Sequence, residues 1–223
     1  MTDVHAVIFD LDGTLLDTLA DIAAAANEVI VSQGAKALPV DTYRDLVGDG
    51  VVMLFARALG TNSVEDPRIP DCVVEFKHAY GRNWNQQTKP YDGIVELLAI
   101  LQEHKIVTAV LSNKPHEFTQ QCIREYLGHH PFDFIFGQRE NVPPKPDPAG
   151  AYEIVNQAGV SQEQCVYVGD TCTDMQTACA AGMLPVGVSW GFRPVQELVE
   201  HGARHMIDHP LQLLELLGIP SSI

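Results

Sequence analysis

Ala6-Val7-Ile8-Phe9-Asp10-Leu11-Asp12-Gly13-Thr14 is the stretch that decides the fold. Its first four residues are apolar without alternation and stop abruptly at a carboxylate, the pattern of a strand buried on both faces with a polar tip. Two later runs repeat the pattern: Val107 to Leu111 ends at Ser112, and Val166-Tyr167-Val168 ends at Gly169-Asp170. Between them stand stretches of helical period, such as Ile94, Val95, Leu97, Leu98 and Leu101, or Tyr152, Ile154, Val155 and Ala158 closed by Gly159. Strand alternating with helix predicts an α/β protein with a doubly wound, Rossmann-like parallel sheet. Weaker strands are expected near Phe134 to Phe136 and Pro185 to Val188. In such a sheet all carboxyl ends share one edge, so Asp10, Ser112 and Asp170 are predicted to converge there.

Residues 16 to 90 break this rhythm. An alanine-rich helical pattern runs through Ile22, Ala23, Ala26, Val29 and Ile30 to Gly34, and another includes Leu54, Phe55 and Leu59, with no convincing strand. The simplest account is an α-helical subdomain inserted after the first strand, over 16–90, into a core formed by 1–15 and 91–223. The turn Pro90-Tyr91-Asp92-Gly93 marks the return to the α/β pattern.

The chain of 223 residues has room for one α/β domain with such an insert. A net charge of −15 argues against nucleic acid or an anionic membrane as partner, because both reward clustered Lys and Arg. An anionic substrate must therefore meet a local exception, which a bound divalent cation would supply. The amino terminus lacks a basic segment followed by an apolar one, and no run approaches the roughly 18 apolar residues of a membrane span. A cytoplasmic protein is expected. Cys72, Cys122, Cys165, Cys172 and Cys179 form no C-x-x-C pair and read as reduced packing or surface residues.

Three strand tips carry candidate chemistry. Asp10 and Asp12 on one tight turn are costly to place together unless a cation lies between them, and magnesium suits carboxylates combined with phosphate oxygens. With magnesium bound, one carboxylate can attack phosphorus while the other, protonated, serves the leaving oxygen. Gly13 lets the backbone approach the phosphate closely. Asp170 is a candidate third metal contact and Asp174 a supporting carboxylate, although Asp170 and Asp174 equally fit a helix N-cap with a first-turn acid. Ser112 and Asn113 offer a hydroxyl and an amide to phosphate oxygens, and Lys145, between Pro144 and Pro146, offers a placed positive charge in a chain with 14 basic residues. Read alone, Lys145 would be a surface residue. His201 and His205 lack the HExxH glutamate and are assigned to surface structure. Gly48-Asp49-Gly50 is a weak match to a phosphate loop, without a third glycine or a preceding strand.

Taken in order, Asp10 to Thr14, Ser112-Asn113-Lys114, Lys145 with its prolines, and Gly169 to Asp174 resemble the four motifs of the haloacid dehalogenase superfamily across nearly the whole chain. The resemblance implies Asp10 as nucleophile and magnesium ligand, and Asp12 as acid/base and ligand through its carbonyl. It implies Ser112 as phosphate donor, Lys145 as charge clamp, Asp170 as ligand, and 16–90 as a helical cap that closes over the site. Val47 to Gly50 with Arg57-Ala58-Leu59, Ser112 to Pro115 and Ser189-Trp190-Gly191 are similar to the phosphoglycolate phosphatases, which makes Gly48, Asp49 and Gly50 candidate substrate contacts. The implied activity is magnesium-dependent hydrolysis of a small phosphate monoester, 2-phosphoglycolate first, through an aspartyl-phosphate. A mutase of the β-phosphoglucomutase type and an inorganic pyrophosphatase share these motifs. Asp12 counts against a dehalogenase, and the complete set of catalytic positions counts against a non-catalytic regulatory module.

Overall fold

The computed structural model describes residues 4–61 and 63–220. Met1, Thr2 and Asp3, part of the stretch read for a leader, lie outside them. The chain divides into two compact units, one of Met1–Leu16 with Pro90–Ile223 and the other Asp17–Lys89.

The first unit is built on a six-stranded sheet. Its strands are β1 (Ala6–Phe9), β4 (Val107–Pro115), β5 (Phe134–Gln138), β6 (Cys165–Gly169), β7 (Leu184–Val188) and β8 (His205–Ile207). The two-residue strands β2 (Leu16–Asp17) and β3 (Lys89–Pro90) pair separately. The order β5-β4-β1-β6-β7-β8 is parallel throughout. The chain leaves β1 toward β4 and β5, then returns to its other side for β6, β7 and β8. With right-handed crossovers this reversal puts helices on both faces and opens a crevice at the carboxyl end of β1.

Register aligns Ile8 with Ala109 on one side and Tyr167 on the other. These residues, with Ala6, Leu111 and Cys165, form one buried layer against α7 (Ala149–Ala158) and α8 (Cys172–Ala181), through Ala151, Ile154, Val155, Ala178 and Ala181. Each large side chain removed from water there contributes about 1.5–3 kcal/mol, which explains why the first strand tolerates no polar alternation. The other helices of this unit are α5 (Ile94–Glu103), α6 (His116–Tyr126), α9 (Val195–Glu200) and α10 (Gln212–Leu216).

The second unit holds α1 (Leu19–Ser32), α2 (Tyr43–Leu46), α3 (Gly50–Ala58) and α4 (Ile69–Asn83). Its aromatic core sets Phe55 edge-on to Phe76 with centroids 5.8 Å apart, and Phe76 stacked on Tyr80 at 5.4 Å. Buried Asp21 accepts from the backbone N–H groups of Gln86, Gln87 and Thr88 and from the Thr88 hydroxyl at 2.7 Å, fixing the segment after α4 to α1.

The predicted strands near Phe134 and Pro185 are present as β5 and β7. The sequence reading missed β2, β3 and β8, all three residues or shorter, too brief for a periodic signal. His205 is an exposed residue of β8, and His201 ends α9 as its C-cap. All five cysteines are free, three of them buried. Among the described residues no helix is long and apolar enough to cross a membrane.

Candidate active site

The Asp10 N–H donates to the Val168 carbonyl at 2.9 Å, carrying the β1–β6 pairing one residue past the strand and setting its carboxylate beside the tip of β6. The chain then turns sharply, with Gly13 N–H to the Leu16 carbonyl at 2.8 Å. Gly13 has φ +90°, and a Cβ there would stand 2.2 Å from Asp170 Oδ2, so the turn and the close approach both require glycine. Asp170 is held from two sides: Thr14 Oγ1 donates to Oδ1 at 3.0 Å and the Phe192 N–H to Oδ2 at 2.8 Å.

Lys145 stands between two carboxylates. Its Nζ donates to Asp10 Oδ1 at 2.8 Å and to Asp174 Oδ1 at 2.6 Å, with its side chain 4% exposed. Asp174 also accepts from the Thr171 N–H at 3.0 Å and the Thr171 hydroxyl at 2.7 Å through Oδ2. The cap of α8 is therefore Thr171, reciprocated by Asp174, and Asp170 stands ahead of the helix. Asp174 is the first-turn acid of α8, and its two oxygens serve different partners, Oδ2 the cap and Oδ1 Lys145.

At the tip of β4 the Asn113 side chain meets the backbone of Lys145. Asn113 Nδ2 donates to the Lys145 carbonyl at 3.0 Å, and the Lys145 N–H donates to Asn113 Oδ1 at 2.8 Å. The side chain thus pairs with the backbone of Lys145, satisfying a buried peptide that the flanking prolines keep out of regular structure. Ser112 is buried at the same tip and accepts from the Lys114 N–H at 3.2 Å.

Sequence reasoning gave Lys114 no role of its own. Its Nζ contacts both oxygens of Asp12, at 3.0 and 3.2 Å, with side chains 5% and 11% exposed. Thr14 and Phe192 were likewise not assigned. Thr14 lies inside the first motif, and Phe192 follows Ser189-Trp190-Gly191, so proximity to a motif was the only signal for either. Trp190 Nε1 donates to the Thr14 carbonyl at 3.1 Å, joining that loop to the first turn.

Asp10, Asp170 and Asp174 bring ligand atoms within 4.8 Å of one another, all buried. The Asp12 carboxylate is outside this group. Burial pushes Asp10 up to about 7 against the pull of Lys145, and repulsion from Asp174 and Asp12 adds to the rise. Asp170 is raised well above the carboxylate range by burial, then by Asp174 and Asp10. Burial opposes the charge on Lys145, but Asp10 and Asp174 override it and hold the ammonium firmly protonated. Asp10, Asp12, Asp170 and Asp174 set four carboxylates against the ammonium groups of Lys114 and Lys145, a formal excess of two negative charges. An oxygen-only, anionic, buried donor set with that excess fits a hard divalent cation.

Gly48, Asp49 and Gly50 lie in the other unit. Asp49 is the N-cap residue of α3 and pairs with Arg57 at 2.5 Å; Gly48 and Gly50 take positive φ of 123° and 85°.

Residues 7–188 match the family model of the haloacid dehalogenase-like hydrolases. The chain is 32% identical over 212 residues to the phosphoglycolate phosphatase of Pseudomonas fluorescens (strain Pf0-1), covering 93% of this chain and 78% of that one. It is 30% identical over 216 residues to the N-acetylmuramic acid 6-phosphate phosphatase of Pseudomonas aeruginosa, covering 96% and 95%. A solved structure from Lactobacillus delbrueckii subsp. bulgaricus, provisionally named a phosphoglycolate phosphatase, superposes with TM-score 0.90 at 32% identity over 97% of this chain and 99% of that one.

Proposed function

This chain belongs to the haloacid dehalogenase-like hydrolases, with phosphatases as its relatives, and on that premise we propose that it hydrolyses 2-phosphoglycolate to glycolate and phosphate in the cytoplasm. The observation that carries the reading is the Asp10 carboxylate, buried at the tip of β1 with one oxygen held by Lys145 and Asp170 beside it. A nucleophile so held has its attacking atom fixed and most of its rotational entropy already removed.

Asp10 attacks phosphorus, the bond to the leaving oxygen breaks, and Asp12 gives that oxygen its proton. Asp12, now a carboxylate, takes a proton from water as the water attacks the aspartyl-phosphate, which restores Asp10 and releases phosphate. Ser112 accepts through its oxygen from Lys114, which leaves its hydroxyl proton for a phosphate oxygen. Lys145 offsets charge on the nucleophile and the incoming phosphate. Asn113 acts on the reaction by fixing the Lys145 backbone. Mg2+ fits the donor set, held by Asp10, Asp170 and the Asp12 carbonyl with Asp174 in support, and when bound it neutralises the approach of two anions. The Asp17–Lys89 unit serves as the helical cap, and Gly48, Asp49 and Gly50 of its α2–α3 segment contact substrate.

The match to the N-acetylmuramic acid 6-phosphate phosphatase extends over nearly its full length and gives a second substrate reading. Phosphate release from 2-phosphoglycolate, N-acetylmuramic acid 6-phosphate, β-glucose 1-phosphate and pyrophosphate, with magnesium and with EDTA, separates the readings. A magnesium-dependent preference for 2-phosphoglycolate, abolished in a folded Asp10→Asn variant, is expected. Retained activity in that variant refutes the covalent route, and preference for another ester replaces the substrate.

A further inference from the structure

The two lysines of the site take three of its four carboxylates, Asp170 being held by Thr14 and Phe192. Lys145 is shared by Asp10 and Asp174, whereas Lys114 lies across both oxygens of Asp12. Lys114 is also fixed from behind: its N–H donates to Ser112 Oγ at 3.2 Å and its carbonyl accepts from Thr119 Oγ1 at 3.2 Å. Nearly buried lysine is uncommon without a partner, and here the strand tip holds the ammonium at one place on the carboxyl edge of the sheet.

That place has a chemical direction. In a phosphoryl transfer the attacking and leaving oxygens lie roughly in line on opposite sides of phosphorus. Asp10 is on the attacking side, and Asp12 must reach the leaving oxygen to protonate it, so the cation paired with Asp12 belongs to the leaving-group side. An ammonium is a compact point charge with no planar geometry to satisfy, so a second anion can share it with Asp12.

We propose that Lys114 is the specificity-determining residue of this site, receiving a carboxylate carried by the leaving alcohol one carbon from the ester oxygen. The inference rests on the phosphatase reading above and deepens it. In 2-phosphoglycolate a single methylene separates carboxylate from ester oxygen, which puts the anion beside Asp12 and Lys114. In N-acetylmuramic acid 6-phosphate the carboxylate is on a lactyl ether across the sugar ring, beyond the reach of a group that must touch the leaving oxygen's own neighbour. Lys114 therefore selects for the first ester over the second.

The test compares kcat/KM for 2-phosphoglycolate and for 2-hydroxyethyl phosphate, which replaces the carboxylate by a hydroxymethyl group, in the wild type, Lys114→Gln and Lys114→Arg. Both esters are expected to react more slowly with the Gln variant, because Asp12 loses its partner. The loss on 2-phosphoglycolate is expected to be roughly 10- to 100-fold larger and carried mainly by KM, the range of a hydrogen bond to a charged group, and Arg should restore part of it. Equal losses on the two esters would show that Lys114 only positions Asp12 and overturn the proposal. A wild type that does not distinguish the two esters overturns it while the phosphatase reading stands. No release from any phosphate ester removes that reading, and this inference with it. Should the Gln variant fail to fold, inhibition of the wild type by glycolate but not by ethylene glycol supports the proposal, and equal inhibition sinks it.

Discussion

Asp10 makes the stability of the metal-free protein depend on pH in an unusual direction. Its carboxyl rises from 3.8 to about 7 on folding because burial outweighs the help of Lys145. The folded state thus binds the proton more tightly than the unfolded chain, so this group's contribution is complete below 3.8 and is lost as pH rises through 7. Over that whole span the shift amounts to about 4 kcal/mol, of which about 2 kcal/mol separates pH 5.5 from pH 7.5. Asp170, also raised by burial and in part by Asp10 itself, acts in the same sense as Asp10 and belongs with it in the difference, whereas burial lowers His116 and His130, which act in the opposite sense on acidification. The informative quantity is therefore the difference between wild type and Asp10→Asn, whose side chain does not titrate. The protein has two tryptophans, and in a Trp84→Phe background Trp190 reports on the unit that holds Asp10. Urea unfolding followed by its fluorescence in EDTA at both pH values should show the wild type gaining about 2 kcal/mol more than Asp10→Asn on acidification. The same pH response in both proteins, or a larger gain in Asp10→Asn, refutes the argument that Asp10 is held at an energetic cost by burial.

Magnesium added to the EDTA-treated protein at pH 7.5 should stabilise it by about 2.7 kcal/mol at a hundredfold excess over the dissociation constant, and Asp170→Asn should abolish most of that gain; an unchanged gain in thermal or urea unfolding counts against Asp170 as a ligand. Asn113→Ala strands the buried N–H and carbonyl of Lys145. Its expected cost is about 1–3 kcal/mol for each group left unsatisfied, with kcat falling more than KM, and unaltered urea unfolding together with unaltered kinetics would contradict the pairing. Gly13→Ala forces a Cβ to within 2.2 Å of Asp170 Oδ2 on a backbone with φ +90°. It should keep its circular dichroism yet lose both magnesium stabilisation and activity, and an active variant would mean that this turn is looser than its geometry.

Short-range chemistry was legible in the residues alone. Largely apolar runs ending at the tips Asp10, Ser112 and Gly169-Asp170 read as buried strands, and their alternation with helical periods pointed to a parallel sheet whose polar tips share an edge. Fold class and the convergence of these tips followed from that. Gly13 was legible as a point of close approach, though its neighbour proved to be Asp170. Partnership was not legible. Lys114 meets Asp12 from 102 residues away and Lys145 meets Asp10 from 135; the flanking prolines mark Lys145 as a placed charge, but nothing local in Lys114 distinguishes it from a solvated lysine. The occupation of Asn113 by the Lys145 backbone, the capping of α8 by Thr171 and the grip of Phe192 on Asp170 were equally hidden, as were strands of two or three residues. Tertiary structure decided these because each is a choice among several chemically competent partners, and only the crossing of distant segments at one sheet edge fixes which donor reaches which oxygen.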